Sequence, residues 1–317
     1  MTDSGGPRVV ALGGGHGLAA SLSALRRVTD DLTAVVTVAD DGGSSGRLRK
    51  EFGVLPPGDL RMALAALCGD DTWGETWAEV LQHRFASAGD LSGHSLGNLL
   101  IVTVWDLLGD HVAGLDLVGQ LLGAHGRVLP MALTPLEITA QVRGIDPSHP
   151  LDITTVRGQV EVATSPGTVV SVSLDPANPP PTPQALSAVL NAEWVVIGPG
   201  SWYSSVIPHL LVPGLRQALI STPARILVNL NLQPQAGETD DLTPADHFEV
   251  LLAHAPGLRV DTVLADVTSL DAPGDLAQRV AAAGARLVTA DIARADAPDQ
   301  HDPVTLAAAY ARVMGQS

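Results

Sequence analysis

Short apolar runs alternate with longer amphipathic stretches along most of the chain. RVVAL (8–12), LTAVVTV (32–38), WVVI (194–197), RILVNL (225–230), VDTVL (260–264) and RLVT (286–289) are brief, nearly continuous and rich in β-branched residues. That is the pattern of strands covered on both faces in a parallel sheet. Between them, apolar positions at helical spacing predict helices over 18–28, 60–68, 73–85, 184–190 and 303–313, and one opening at Gly93–Asn98 and running through Leu108. Thr243-Pro244 reads as the cap and first position of another helix. From Val128 the pattern changes. Segments 137–142, 152–156, 159–163 and 168–174 read as short strands, with turns at Asp146-Pro147 and Ser165-Pro166-Gly167. The stretch DPANPPPTP (175–183) reads as a stiff connector back to the core. The expectation is an α/β core in one domain, 1–317, with a β-rich antiparallel excursion at about 137–175.

Chemistry is expected where this pattern breaks. After the first strand come Gly13, Gly14, Gly15, His16 and Gly17, then a helix, an arrangement that presents backbone N–H groups to a phosphate. Leu18 stands where the dinucleotide fingerprint wants a small residue. His16 is either a ligand contact or a solvent-facing loop residue. At the end of the second strand stand Asp40 and Asp41, read as a turn pair, a ribose acceptor or a Mg²⁺ pair completed by substrate phosphates. Gly42, Gly43, Ser44, Ser45 and Gly46 follow as a loop able to approach and donate to phosphate oxygens, with Arg47 as a charge-assisted fork. Arg49, Lys50 and Glu51 read as a solvated helix face. Asp59 reads as an N-cap or a ligand contact, and Arg61, a cation in a helical first turn, calls for a compensating anion. His94 is a structural histidine or a base. Asn98, inside a helix, is expected to hydrogen-bond a loop or a ligand. Gly198, Pro199, Gly200, Ser201 and Ser204 form a second strand–glycine–hydroxyl run, and Asn229 ends a later strand beside Asn231.

Composition narrows the partners. The net charge is −16, which argues against nucleic acid and anionic membranes. No apolar run is long enough to span a bilayer, and no secretion signal is read at the start. The lone Cys68 lies in an apolar helical run and reads as an inert buried thiol in a reducing, cytoplasmic setting.

Three segments together, TVADDGGSSGRLRKEFGVLPPGDLR, GHSLGNLLI and IGPGSWYSSVIPHLLVPGL, resemble the bacterial YvcK-type gluconeogenesis factors, relatives of 2-phospho-L-lactate transferase with the CofD-like fold. GGGHGLAASLSAL and the GETD…ADH segment share the likeness, which spans nearly the whole chain. The resemblance implies a Rossmann-like three-layer α/β protein in the cytoplasm. It implies binding of UDP-N-acetylglucosamine or a related nucleotide diphosphate, and a role in cell shape and peptidoglycan synthesis on gluconeogenic carbon. It implies no required cofactor. A homo-oligomer and envelope regulatory proteins stand as further partners. The related transferase moves a phospholactyl group from a nucleotide diphosphate donor. Its site would correspond to Gly13–Gly17, Asp40, Asp41 and Gly198–Ser201, although the loop here has the gluconeogenesis-factor form. Family members often carry a basic residue before the C-terminal His-Asp pair; this chain has Gln300-His301-Asp302, with Arg294 nearby. The rival readings are a Mg-dependent phospho-group transferase, with Asp40, Asp41 or His94 as candidate catalytic groups, and, more remotely, an NAD-dependent dehydrogenase.

Overall fold

The computed structural model describes residues 6–235, 238–239, 242–270 and 273–316. Seven strands form one parallel sheet: β1 (Val9–Gly13), β2 (Leu32–Val36), β3 (Arg127–Pro130), β7 (Trp194–Ile197), β8 (Arg225–Asn229), β9 (Thr262–Asp266) and β10 (Arg286–Ala290). Their order is β10-β9-β8-β7-β1-β2-β3. Every residue of β1, β7 and β9 is buried, as continuous apolar strands with helices on both faces require. β1 pairs with β2 on one side and β7 on the other, with Gly13 opposite Val36 and Leu12 opposite Ile197. The chain therefore reverses its direction of travel across the sheet at β1. Open α/β sheets bind ligands beyond the carboxyl ends of strands at such a switch point.

The excursion is a separate antiparallel sheet of β4 (Glu137–Arg143), β5 (Ile153–Arg157) and β6 (Thr168–Asp175), in the order β5-β4-β6. The fourth expected strand is not one. Gln159–Ala163 is a short helix, although its alternating valines suggest a strand. Its first N–H groups, those of Gln159 (3.1 Å) and Val160 (3.3 Å), donate to the Asp41 carboxylate. A cap supplied from 118 positions away decides the conformation. β3, an edge strand of four residues, carries too short a signal to stand out in the sequence.

Helix starts follow local chemistry. Thr243 and Asp246 form a reciprocal capping box ahead of Pro244–His254, and Asp302 accepts from Val304 and Thr305 at the start of Pro303–Met314. Asp59 does not cap. Pro57 holds the cap position of helix Gly58–Ala66, and Asp59 lies buried in its first turn. Arg49 is not purely solvated either, since its guanidinium donates to the Leu136 carbonyl at 2.7 Å. Cys68 is buried, and burial pushes its thiol up to about 11, which leaves it unreactive. No helix among the described residues is long and apolar enough to cross a membrane.

Candidate functional site

Two glycine loops meet at the switch point. Gly14 precedes the helix Gly15–Leu25 without a side-chain cap, and Gly15 takes a left-handed φ of +57° as the helix opens. The loop after β7 lies against that turn. A Cβ on Gly17 would stand 2.3 Å from the Pro199 carbonyl oxygen and 2.5 Å from the Gly200 Cα, so only hydrogen fits there. Asn231 locks the second loop, accepting from the Gly200 N–H (2.8 Å) and donating to its carbonyl (2.9 Å). Gln235 does the same for the next residues, accepting from Trp202 N–H and donating to Ser201 Oγ, both at 3.2 Å.

On one side of these loops opens a chamber of about 600 Å³, bounded by His16, Pro199, Gly200, Gln233, Gln300 and His301 among others. A second chamber of about 220 Å³ lies where the Gly43–Phe52 and Gly58–Ala66 helices begin. It is lined by Asp40, Gly42, Gly43, Ser44, Ser45, Asp59, Arg61, Arg84 and Asn98. The glycine-serine stretch is not a free loop: residues from Gly43 onward are the first turn of a helix, with Ser44 and Ser45 buried.

Ser44 is a hub of this smaller chamber. Its Oγ accepts from Asn98 Nδ2 (3.0 Å) and more weakly from Ser95 N–H (3.4 Å). Its own proton is therefore left for His94 Nδ1 at 3.0 Å, which assigns the Nε2–H tautomer to that imidazole. Burial, with Arg47 nearby, lowers the His94 pKa and keeps it neutral. Asn98 Oδ1, Arg61 Nε and Asp59 Oδ2 are buried without a partner, an unusual concentration of unsatisfied polar atoms in one place.

The carboxylates are redistributed relative to the sequence reading. Asp41 is spent on the Gln159–Ala163 helix, although its charge still helps to raise Asp40. Asp40 accepts from Gly42 N–H at 2.9 Å and lines the smaller chamber together with Asp59. Burial, and then the Asp40 charge, push Asp59 up to about 7; the Gly15 N–H and the Arg61 charge pull the other way. Burial also raises Asp40. Arg61 is brought down to about 10 by burial and by Arg84, and one of its terminal nitrogens donates to Gln82. Among the described residues no three His, Cys, Asp or Glu side chains gather as a metal cage. The two carboxylates of Asp40 and Asp59 suit Mg²⁺ only if ligand phosphates and water complete the shell.

Several sequence candidates have other work. Arg47 donates to the carbonyls of Asp90 (3.1 Å) and Ser92 (2.7 Å), clamping a surface loop. Asn229 is buried under the site and donates to Tyr310 Oη at 3.0 Å. Ser204 is fully buried with its hydroxyl beside the Glu238 carboxyl. Gly237 and Asp240 of the GETD segment lie outside the described residues. Conversely, Arg84 and Gln233 border the chambers with no motif to announce them, and Asn231 was the nearer neighbour of the β7 loop. Asp41→Ala should leave the parallel sheet intact but cost about 1 kcal/mol through the lost cap. Hydrogen exchange should show it as faster exchange at residues 159–163.

The chain matches the family model described as 2-phospho-L-lactate transferase CofD over residues 9–305. It is 50% identical over 311 residues to the gluconeogenesis-factor homologue of Mycobacterium tuberculosis, covering 97% of this chain and 89% of the other. It is 37% identical over 286 residues to the gluconeogenesis factor of Bacillus subtilis, covering 90% and 86%. The crystal structure of a UPF0052 family member from Bacillus halodurans superposes with a TM-score of 0.84 at 33% identity, covering 96% of this chain and 98% of that one. The chain thus belongs to the CofD family, among the members named gluconeogenesis factors.

Proposed function

We propose that this protein is a cytoplasmic nucleotide-sugar sensor that binds UDP-N-acetylglucosamine and regulates envelope synthesis and cell shape during gluconeogenic growth. The observation that carries the reading is the tripartite layout of the crevice. Interlocked glycine loops at the switch point, the first of them opening a helix N-terminus, suit a diphosphate. The 600 Å³ chamber, walled by amides and imidazoles, suits a nucleoside. The smaller chamber, lined by polar side chains that include Asn98, Asp59 and Arg61, suits a sugar. Gln300 stands between Asp299 and His301 on the wall of the larger chamber, whose described lining holds no arginine or lysine. The Ser44–His94 contact does not favour turnover, because the serine is also held by Asn98 and Ser95.

A second reading is favoured by one observation, that Asp40 and Asp59 line the same small chamber, where the Asp40 charge helps to raise Asp59. In a phospho-group transferase they would hold Mg²⁺ against the donor diphosphate. The metal would neutralise developing charge there, and Arg61 would add to it from the protein side. The two readings separate in a thermal-shift panel of UDP-N-acetylglucosamine, UDP, GDP and NAD, with and without Mg²⁺. Ligand binding to the native state raises Tm by mass action. The sensor reading expects a shift with the UDP-sugar and no consumption of it on prolonged incubation. No shift at millimolar UDP-sugar rejects it.

A further inference from the structure

The small antiparallel sheet ends in an open strand. β5 pairs with β4 alone, and every residue of it but the half-buried Val156 is exposed. Its ladder fixes which backbone groups are left over. The Gly144 N–H donates to the Asp152 carbonyl (3.0 Å) and the Gly158 N–H to the Ile138 carbonyl (2.8 Å). Bonded pairs alternate along an antiparallel ladder, so Thr154 and Val156 also face β4. Ile153, Thr155 and Arg157 therefore turn their N–H and C=O groups to the open side. The opposite edge is managed differently. The pairing of β6 with β4 shifts register between Gln141 and Val142, and β6 packs against the helix Ile207–Leu211. β5 carries neither proline nor bulge to blunt its edge. Apolar side chains stand exposed there as well, Leu151 at 82% and Ile153 at 56%.

An edge of this kind accepts another strand, and the sequence of β5 is complementary to itself. We infer that β5 pairs antiparallel with β5 of a second copy about a two-fold axis at Thr155, joining the two small sheets into one. This register alone overlaps both strands along their whole length, and it sets outward-facing positions against each other. Thr155 then faces Thr155 of the partner subunit, a favourable cross-strand pair. Ile153 faces Arg157 of the partner subunit and lies between that stem and the stem of Arg143, its neighbour on β4. Arg157 brings no uncompensated charge to the contact, because Glu137 (3.5 Å) and Asp175 (3.3 Å) already pair with it. An axis at Arg157 would instead set two arginines directly opposite, which is unfavourable. The paired strands span roughly 17 Å, a small contact, so the copies should associate in the micromolar range. The contact also borders the candidate site: Asp41, next to Asp40, caps the Gln159–Ala163 helix that follows β5.

Sedimentation velocity of the full chain at roughly 1–300 μM tests this. Wild type should pass from monomer to dimer over that range. Thr155→Pro removes one outward N–H and no ladder bond to β4, and edge strands tolerate proline. That variant should stay monomeric with an unchanged circular dichroism spectrum. Thr155→Cys reads the register, since bonded antiparallel positions lie about 5.5 Å apart between Cα atoms, within disulfide reach. Mild oxidation should cross-link Thr155→Cys into a dimer on a denaturing gel. Ile153→Cys and wild type, whose Cys68 is buried, should not cross-link. Wild type that stays monomeric throughout, or a dimer that persists in Thr155→Pro, overturns the inference. Cross-linking through Ile153→Cys in place of Thr155→Cys overturns it too. Should Thr155→Pro fail to fold, the two cysteine variants decide alone.

Discussion

Gly17→Val should abolish nucleotide binding in a protein that still folds. The Cβ it introduces would stand 2.3 Å from the Pro199 carbonyl oxygen and 2.6 Å from the Gly200 nitrogen. These are backbone atoms, so no rotamer change relieves the contact; one loop must move. Overpacking of this kind costs about 1–3 kcal/mol, which a domain with a core of this size survives. The loops would separate by a distance comparable to the overlap, so one diphosphate could no longer sit against both. Each charge-assisted bond lost is worth about 1.5–3 kcal/mol, so affinity should fall roughly a hundredfold or more. Gly109→Asn is the matched control: its φ of +65° tolerates asparagine, nothing lies within 4 Å, and binding should be unchanged. Calorimetry checks the affinity and circular dichroism the fold. Wild-type affinity in Gly17→Val would mean that the loops do not act as one site.

Why both loops were legible before the structure, while their partners were not, follows from the range of the forces involved. A strand, a glycine turn and a helix start are local, and Gly13–Gly17 and Gly198–Ser201 could be placed from spacing alone. That they meet depends on sheet order, which puts β1 next to β7 across more than 180 residues. Local reasoning erred where a side chain answers to something remote. Arg47 follows a phosphate-like loop in sequence, yet the carbonyls of Asp90 and Ser92 claim it. The adjacent pair Asp40 and Asp41 splits, since successive side chains leave an extended segment on opposite sides; one then caps a distant helix and the other meets Asp59. Asn229 and Asn231 differ in the same way, because only the second lies beyond the strand end. The helix at 159–163 could not be read from QVEVA, since its cap is Asp41.

Asp59→Asn should raise stability at pH 8 and leave it nearly unchanged at pH 4. The carboxyl is buried, and its pKa is pushed up to about 7 from the ordinary 3.8. Between those values the native state holds a proton that the unfolded chain has released. Stability therefore falls as pH rises through this window, and the full penalty is present above pH 7. Asparagine keeps the shape and removes the charge, so the variant should gain roughly 4 kcal/mol at pH 8, or roughly 6 °C in Tm. The same residue separates the two functional readings. A metal-free diphosphate placed beside Asp59 raises its pKa further, so binding takes up a proton and affinity weakens from pH 6 to 8. A diphosphate that arrives with Mg²⁺ held by Asp40 and Asp59 expels the proton, so affinity strengthens over the same range. Asp59→Asn should flatten either slope and, in the second case, also remove the Mg²⁺ requirement for tight binding. Titrations of wild type and variant at pH 6, 7 and 8, with and without Mg²⁺, read the sign directly. A wild-type slope that persists unchanged in Asp59→Asn would show that another group carries the proton.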